Sequence, residues 1–368
     1  MDYQHEVQIT CSVEDEIEEN DGFYWVDSVD TSRSDNCIVK NYKTAKHLKT
    51  YSSHGQKRGQ LLDPHGIASS AAASSPRFTS VIDDDGVICV TDPMKNSLTV
   101  FKESTFRALP NNREVRSSIS TVKECSFASV FDVTVHEASR SALVSDPLGK
   151  CLHCVSIDNI DDNKNGGIII DESQHGYQRN RTSHGFFDET ISLPNCDSLA
   201  GLCVTNEGLI GVLDSDSGRV LVCDGQGVVR HTFGEEGHNQ GQFCLPQFIC
   251  WDERNKRFLV SDTANARVQA FTVDGRFIFT FDNNGGRGGG CPFEYPSGVT
   301  TDDHGRIFVV DQGTHLLQIF DKDGQWLHTL GNRSSGKSCF NSPKSLALLT
   351  NGDIMVTDNL NCRLQIFG

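Results

Sequence analysis

Apolar residues in the last third of the chain fall in short runs. Each run ends in Asp, crosses a polar turn, and resumes as a second run that closes on Phe. Residues 257–271 (RFLVSDTANARVQAF), 306–320 (RIFVVDQGTHLLQIF) and 353–367 (DIMVTDNLNCRLQIF) follow this pattern. Anchored on Asp262, Asp311 and Asp358, the period is 49 and then 47 residues. Runs this short, bounded by turn residues, predict β-strands. A repeat of this length built from such strands predicts the blades of an all-β propeller rather than a helical solenoid. One blade cannot bury its own apolar faces, so the repeats must stack around an axis.

The same frame extends upstream. Residues 212–224 (VLDSDSGRVLVCD), 143–157 (LVSDPLGKCLHCVSI) and 89–101 (CVTDPMKNSLTVF) place Asp214, Asp146 and Asp92 in the same column. Insertions such as IDDNKNGG (160–167) and SQHGYQRNRTSHGFF (173–187) widen the spacing. GFYWVDS (22–28) offers Asp27 as a seventh member. Units open on a Pro-containing strand, as in DPHGIA (63–68), LPQFICWD (245–252), YPSGVTTD (295–302) and SPKSLALLT (342–350), and close on a strand running into Gly.

FGEEGHNQGQFCLP (233–246) followed by the 257–271 segment resembles the NHL repeat, and SSHGQKRGQLLDP (52–64) is a second form of the same loop. The resemblance covers about residues 45–368 and is to the propeller domain of TRIM-NHL or Brat-like proteins. Leu98, Cys151 and Leu316 stand where the motif has Arg. The family implies a six-bladed ring closed by its N-terminal strand. The last unit stops at Gly368 with no outer strand, and KTAKHLKTY (43–51) supplies one, so residues 46–51 are expected to complete it. A seven-bladed ring using EVQITCS (6–12) and GFYWVDS is the alternative. Residues 1–40 are then an acidic lead-in or the tail of an upstream domain, and 45–368 the propeller, monomeric by itself.

Net charge is −16, but residues 1–40 carry eleven Asp and Glu against Arg33 and Lys40, a balance of −9 that leaves −7 for the other 328 residues. This segment reads as solvated. No apolar stretch approaches the roughly 18 residues of a membrane helix, and the N-terminus has no signal-peptide pattern. Fourteen cysteines without framework spacing read as reduced thiols, which places the protein in the cytoplasm. No membrane partner and no DNA partner are expected.

Strands labelled a to d from the axis outward put the a–b and c–d turns on one face, the bottom, and the b–c turns and d–a connections on the other, the top. The bottom turns are acidic (DDDG 83–86, DDHG 302–305, DKDG 321–324). The top carries Lys57, Arg58, His65, Arg267, Arg287, Arg333, Lys344 and Arg363, the residues expected to hold a ligand. A one-sided basic patch is the footprint of a phosphate-binding surface. Phe248 is expected to be exposed there as a stacking platform. The six column aspartates (Asp92, Asp146, Asp214, Asp262, Asp311, Asp358) read as structural acceptors in their own b–c turns. Arg267 and Arg363 are expected to brace blades while keeping one guanidinium edge free.

Catalysis is not expected. NHL-type amidating lyases hold a metal with His from several blades, whereas the column after the opening Pro reads His65, Gln247, Ser297 and Lys344. GGRGGG (285–290) lacks the Lys-Ser/Thr of a phosphate loop, and CLHC (151–154) has no second ligand pair in sequence. No cofactor or metal is expected. The resemblance implies two functions. One is RNA binding on the basic face, in post-transcriptional repression. The other is a protein scaffold that recruits substrates for a TRIM-type ubiquitin ligase whose RING module lies elsewhere.

Overall fold

A computed structural model gives the architecture. It describes residues 47–52, 62–69, 86–102, 119–122, 127–157, 190–282, 292–331 and 339–368. All belong to one compact unit, Ile38–Gly368. The 1–40 segment, Asp27 and the 160–167 and 173–187 insertions lie outside the described residues.

Twenty-four strands form six four-stranded antiparallel sheets, so the protein is a six-bladed β-propeller. The opening strand is β1 (His47–Ser52). Blade 1 is β2 (Ile67–Ser69), β3 (Val87–Asp92), β4 (Ser97–Lys102) and β5 (Ile119–Val122). Blade 2 is β6 (Val133–His136), β7 (Ser141–Asp146), β8 (Cys151–Ser156) and β9 (Thr190–Ser192). Blade 3 is β10 (Leu199–Val204), β11 (Ile210–Asp214), β12 (Arg219–Cys223) and β13 (Val229–Phe233). Blade 4 is β14 (Phe248–Asp252), β15 (Arg257–Asp262), β16 (Arg267–Thr272) and β17 (Phe277–Asp282). Blade 5 is β18 (Pro296–Thr301), β19 (Ile307–Asp311), β20 (Leu316–Phe320) and β21 (Trp326–Leu330). Blade 6 is β22 (Pro343–Leu348), β23 (Ile354–Asp358) and β24 (Arg363–Phe367), with β1 as its outermost strand. β1 pairs with β24 through Thr50↔Gln365 and Ser52↔Arg363, so the start of the ring is sewn to its end.

The hydrophobic core is distributed rather than central. Buried side chains fall into six clusters, each between two neighbouring blades. On β15, Phe258 and Val260 face blade 3 while Leu259 faces blade 5. Both faces of the strand are covered, so strand b reads as an unbroken apolar run, whereas the outer strand β17 leaves most of its side chains partly or fully in solvent.

The b–c turns share one backbone solution. The residue that re-enters strand c has a left-handed φ in every blade: Asn96, Lys150, Gly218, Ala266, His315 and Cys362. Five of the six are not Gly, and each such residue costs about 1–2 kcal/mol of strain. Gly218 is the exception because a Cβ there would lie 2.7 Å from the Glu236 Cα.

Removing β1 leaves β24 as an open edge, which templates association between chains. A chain beginning at residue 55 is expected to melt at lower temperature and to self-associate, measured by thermal unfolding and size-exclusion chromatography. A monomeric product with an unchanged transition would show that β1 does not close the ring.

Candidate functional site

The column aspartates are the most buried charges of the fold, each 0–1% exposed. They bind more than their own turns. Asp92 accepts N–H bonds from Leu62 (2.8 Å) and Lys95 (3.2 Å). Asp311 accepts them from Glu294 (2.7 Å), Tyr295 (2.9 Å) and Gly313 (2.9 Å). The carboxylate therefore ties the b–c turn to the d–a connection that leads into the same blade. Burial alone would raise the Asp214 pKa, but bonds from Ser198, Asp197 and Arg219 hold it below the ordinary carboxylate range.

Strand pairing places Ser97, Cys151, Arg219, Arg267, Leu316 and Arg363 opposite the six aspartates. The residue at the motif's Arg position in blade 1 is thus Ser97 and not Leu98. Arg267 lacks the free edge expected from sequence, whereas Arg363 braces its turn and remains partly exposed. Arg267 donates to Asp262 (2.7 Å) and to the carbonyls of His238, Asn239 and Gln242. Arg363 donates to Asp358 (2.5 Å) and to the Cys339 carbonyl (2.7 Å). Both guanidinium groups hold d–a connections; Arg267 spends Nε, Nη1 and Nη2 within the fold, whereas the Arg363 side chain stays 18% exposed.

The column after the strand-opening Pro gains Phe131 and Ala200, since register aligns them with His65, Gln247, Ser297 and Lys344 at the upper end of the axis. Lys344 Nζ contacts the Gln312 Oε1 (3.1 Å) and the Gln247 Oε1 (3.4 Å), and Gln312 Nε2 donates to the same Gln247 oxygen (3.1 Å). Burial lowers the Lys344 pKa and the Asp63 carboxylate opposes that shift. His65 lies against Phe131, with ring centroids 4.3 Å apart. Burial and then the Lys344 charge push its pKa down to about 3, against the pull of the Phe131 carbonyl. His65 is therefore neutral at physiological pH and offers no cation to a phosphate. Phe248 is 3% exposed, with its ring centroid 6.0 Å from that of His65 and 5.7 Å from that of Phe131, so the three rings form one cluster. It is a plug and not a surface platform. Gln312 went unnoticed in the sequence; its signal is an amide immediately after a column Asp. Of the remaining expected residues, Lys57, Arg58, Arg287 and Arg333 lie outside the described residues.

Below the plug the six inner strands enclose an axial cavity of about 120 Å³, running from Asp132 and Phe248 to His136, Glu137, Asn206, Trp251 and Glu253. Neighbouring inner strands approach so closely that glycine alternates with larger residues. A Cβ on Gly201 would lie 2.8 Å from the Phe248 Cα, and one on Gly298 would lie 2.5 Å from the Ser345 Cα. The Asp132 carboxylate sits over Gly66 and accepts the Leu202 N–H (3.2 Å). Burial raises its pKa to about 7, with the Leu202 and Val133 N–H groups opposing. Burial likewise raises Glu137 to about 7.

A family model of the NHL repeat matches residues 293–320 and 340–367, the inner three strands of blades 5 and 6. The chain carries NHL repeats. Protein brain tumor of Drosophila melanogaster is 28% identical over 133 residues, 36% of this chain and 12% of that protein. Protein lin-41 of Caenorhabditis elegans is 51% identical over 47 residues, 13% of this chain and 4% of that one. NHL repeat-containing protein 3 of Homo sapiens is 32% identical over 128 residues, 33% of this chain and 35% of that one. The aligned part of this NHL propeller thus spans about a third or less of each of these relatives. Among solved structures, virginiamycin B lyase of Staphylococcus aureus aligns with TM-score 0.50 at 13% identity, covering 86% and 82% of the two chains. A Bacteroides thetaiotaomicron protein of unknown function aligns with TM-score 0.57 at 12% identity, covering 88% and 75%. At such identity these structures share the fold alone. No described helix is long and apolar enough to cross a membrane.

Two predictions follow from the buried carboxylates. Asp262→Ala strands the Arg267 guanidinium in a buried position and is expected to cost about 3–5 kcal/mol in chemical denaturation. For Asp132, the folded pKa near 7 lies above the unfolded value of about 4. Its stabilising contribution is full below pH 4 and is lost as pH rises through 7. The unfolding temperature of Asp132→Asn relative to the unmodified protein should therefore be higher at pH 8 than at pH 5. A pH-independent difference would contradict the assignment.

Proposed function

We propose that the chain is a non-catalytic recognition propeller that holds a protein segment on its top face. The carrying observation is the placement of large exposed apolar side chains. Met94 (72% exposed), Leu148 (75%) and Leu360 (64%) occupy one turn position, two residues after the column Asp, in blades 1, 2 and 6, which are consecutive around the ring. Leu245 (53%) and Tyr295 (57%) stand on d–a connections of the same face. Scattered apolar residues on a surface need no explanation, but a repeated turn position across three adjacent blades marks a contact surface. Exposed Lys150 beside Leu148, together with Lys344 at the axis, favours a segment with acidic and apolar residues. Recruitment of such a segment to a ubiquitin ligase module in the cytoplasm fits the TRIM-NHL resemblance.

RNA is the second reading, favoured by the cations that sequence assigns to this face and by exposed Tyr295, a platform on which a base can stack. Arg267 contributes little, because its Nε, Nη1 and Nη2 already donate within the fold.

Charge substitution separates the two. In a displayed peptide library and in titrations of single-stranded RNA, Met94→Asp, Leu148→Asp and Leu360→Asp together should remove peptide binding and leave the unfolding temperature unchanged. Val273→Asp, in a c–d turn on the opposite face, should change neither peptide binding nor the unfolding temperature. RNA affinity that falls steeply with log salt and survives the apolar substitutions would favour the RNA reading. Peptide binding untouched by all three substitutions would refute the proposed surface.

A further inference from the structure

We propose that the top of blade 2 is a divalent transition-metal site, of the kind that takes zinc, formed by Asp146, Cys151 and His153. The argument begins with blades 4 and 6, where one carboxylate oxygen receives three side chains. Asp262 Oδ2 accepts from Asn265 (2.9 Å), Arg267 (2.7 Å) and Gln269 (3.1 Å). Asp358 Oδ2 accepts from Asn361 (2.8 Å), Arg363 (2.5 Å) and Gln365 (2.8 Å). Blade 2 replaces all three donors. Gly149 stands for Asn, Cys151 for Arg and His153 for Gln. The guanidinium charge is gone, and a thiol and an imidazole take its place around the buried Asp146.

The ligand atoms converge on one point. His153 Nε2 is 3.1 Å from Asp146 Oδ2 and 3.5 Å from Cys151 Sγ, and all three atoms lie within 4.8 Å of one another. Zinc–ligand bonds of about 2.0 Å to O and N and 2.3 Å to S, at tetrahedral angles, set O···N near 3.3 Å and N···S near 3.5 Å. Asp146 and Cys151 approach the same imidazole nitrogen. A nucleophile relay needs thiol and carboxylate on opposite nitrogens, so this arrangement does not make a catalytic Cys–His–Asp triad. Cys151 and His153 are two apart on β8 and share a face, whereas Cys154, the other half of the CLHC motif, points to the opposite one.

The surroundings fit a metal centre. N–H bonds from Ala128 (2.7 Å), Ser129 (2.9 Å) and Gly149 (2.9 Å) fix the Asp146 carboxylate in orientation. A Cβ on Gly149 would lie 3.0 Å from Asp146 Oδ2 and 3.1 Å from Cys151 Sγ, so the absence of a side chain leaves the site approachable. The His153 side chain is 13% exposed. Binding displaces the thiol proton to solvent, and affinity should therefore rise with pH. Three protein ligands leave a fourth position for water or a partner's side chain. Loss of the motif Arg does not by itself make such a site, since blade 1 has Ser97 and Thr99 at the two positions and blade 5 has Leu316 and Gln318.

Titration of the full chain with Co²⁺ tests the site. The expected result is a thiolate-to-cobalt absorption band in the near ultraviolet, displaced by Zn²⁺. Cys151→Ser should abolish the band and Cys154→Ser should leave it. His153→Gln should weaken binding by more than about tenfold, since loss of an outer-shell partner alone costs about 10–100-fold. The double variant Cys151→Arg/His153→Gln rebuilds the blade 4 arrangement. It should unfold at or above the original temperature and lose both the band and any rise in unfolding temperature on adding Zn²⁺. A band that persists in Cys151→Ser or in the double variant places cobalt at another of the cysteines and overturns the proposal. Absence of any band with micromolar Co²⁺ at pH 8 does so too, leaving a hydrogen-bonded Asp–His–Cys cluster.

Discussion

A carboxylate buried at the end of strand b holds this propeller together. The d–a connections vary in length and composition, yet each must return to the axis to open the next blade. The column Asp supplies the point of return. It takes N–H groups from the connection as well as from its own b–c turn, as Asp311 does with Glu294, Tyr295 and Gly313. At Asp214 burial is outweighed by the N–H groups of Ser198 and Asp197, with Arg219, which keep the carboxyl below its ordinary range. A buried charge left unpartnered is among the costliest defects in a fold. In blades 1, 2 and 5 loop position and turn geometry thus become a single condition on the backbone. The left-handed residues at these b–c turns are tolerated within that condition.

Packing follows from the same plan. Six interfaces of similar make-up replace one core, and every strand b contributes to two of them. Hydroxyl groups stitch the interfaces at the axis: Thr91 donates to the Phe131 carbonyl, Thr263 to the Pro296 carbonyl and Thr357 to the His65 carbonyl, each on the next blade. Glycines at Gly66, Gly201 and Gly298 let inner strands approach where two side chains would collide. What space remains is closed above by Phe248, Phe131 and His65.

Strand periodicity and the Asp column were enough to read the strand pattern and six units; six blades rather than seven, and closure by residues 46–51, rested on the family resemblance and on the missing outer strand of the last unit. Side-chain availability was not legible in the same way. Arg267, His65 and Phe248 belong to the top of the molecule, yet each is spent internally. Sequence marks a residue's face, but whether an Arg meets solvent or three carbonyls depends on a connection some 25 residues away. The exposed apolar set failed to register for the opposite reason. Met94, Leu148 and Leu360 read as ordinary turn residues until the register aligned them on neighbouring blades. The Asp146 cluster was hidden because its ligands are split between two strands, while the eye is drawn to the adjacent CLHC.

The pairing of β1 with β24 also sets an order of events. During synthesis β1 is made first of the described strands, and its partner is made last. Cys362 bonds the Leu62 carbonyl across 300 residues of chain. Loop-closure entropy rises only slowly with such length, so the contact itself is affordable. Timing is the greater burden. Five blades can stack while β1 waits as an unpaired strand, and the ring stays open, with a free edge, until β24 leaves the ribosome. The most exposed moment in this protein's life is therefore the interval just before its last strand arrives.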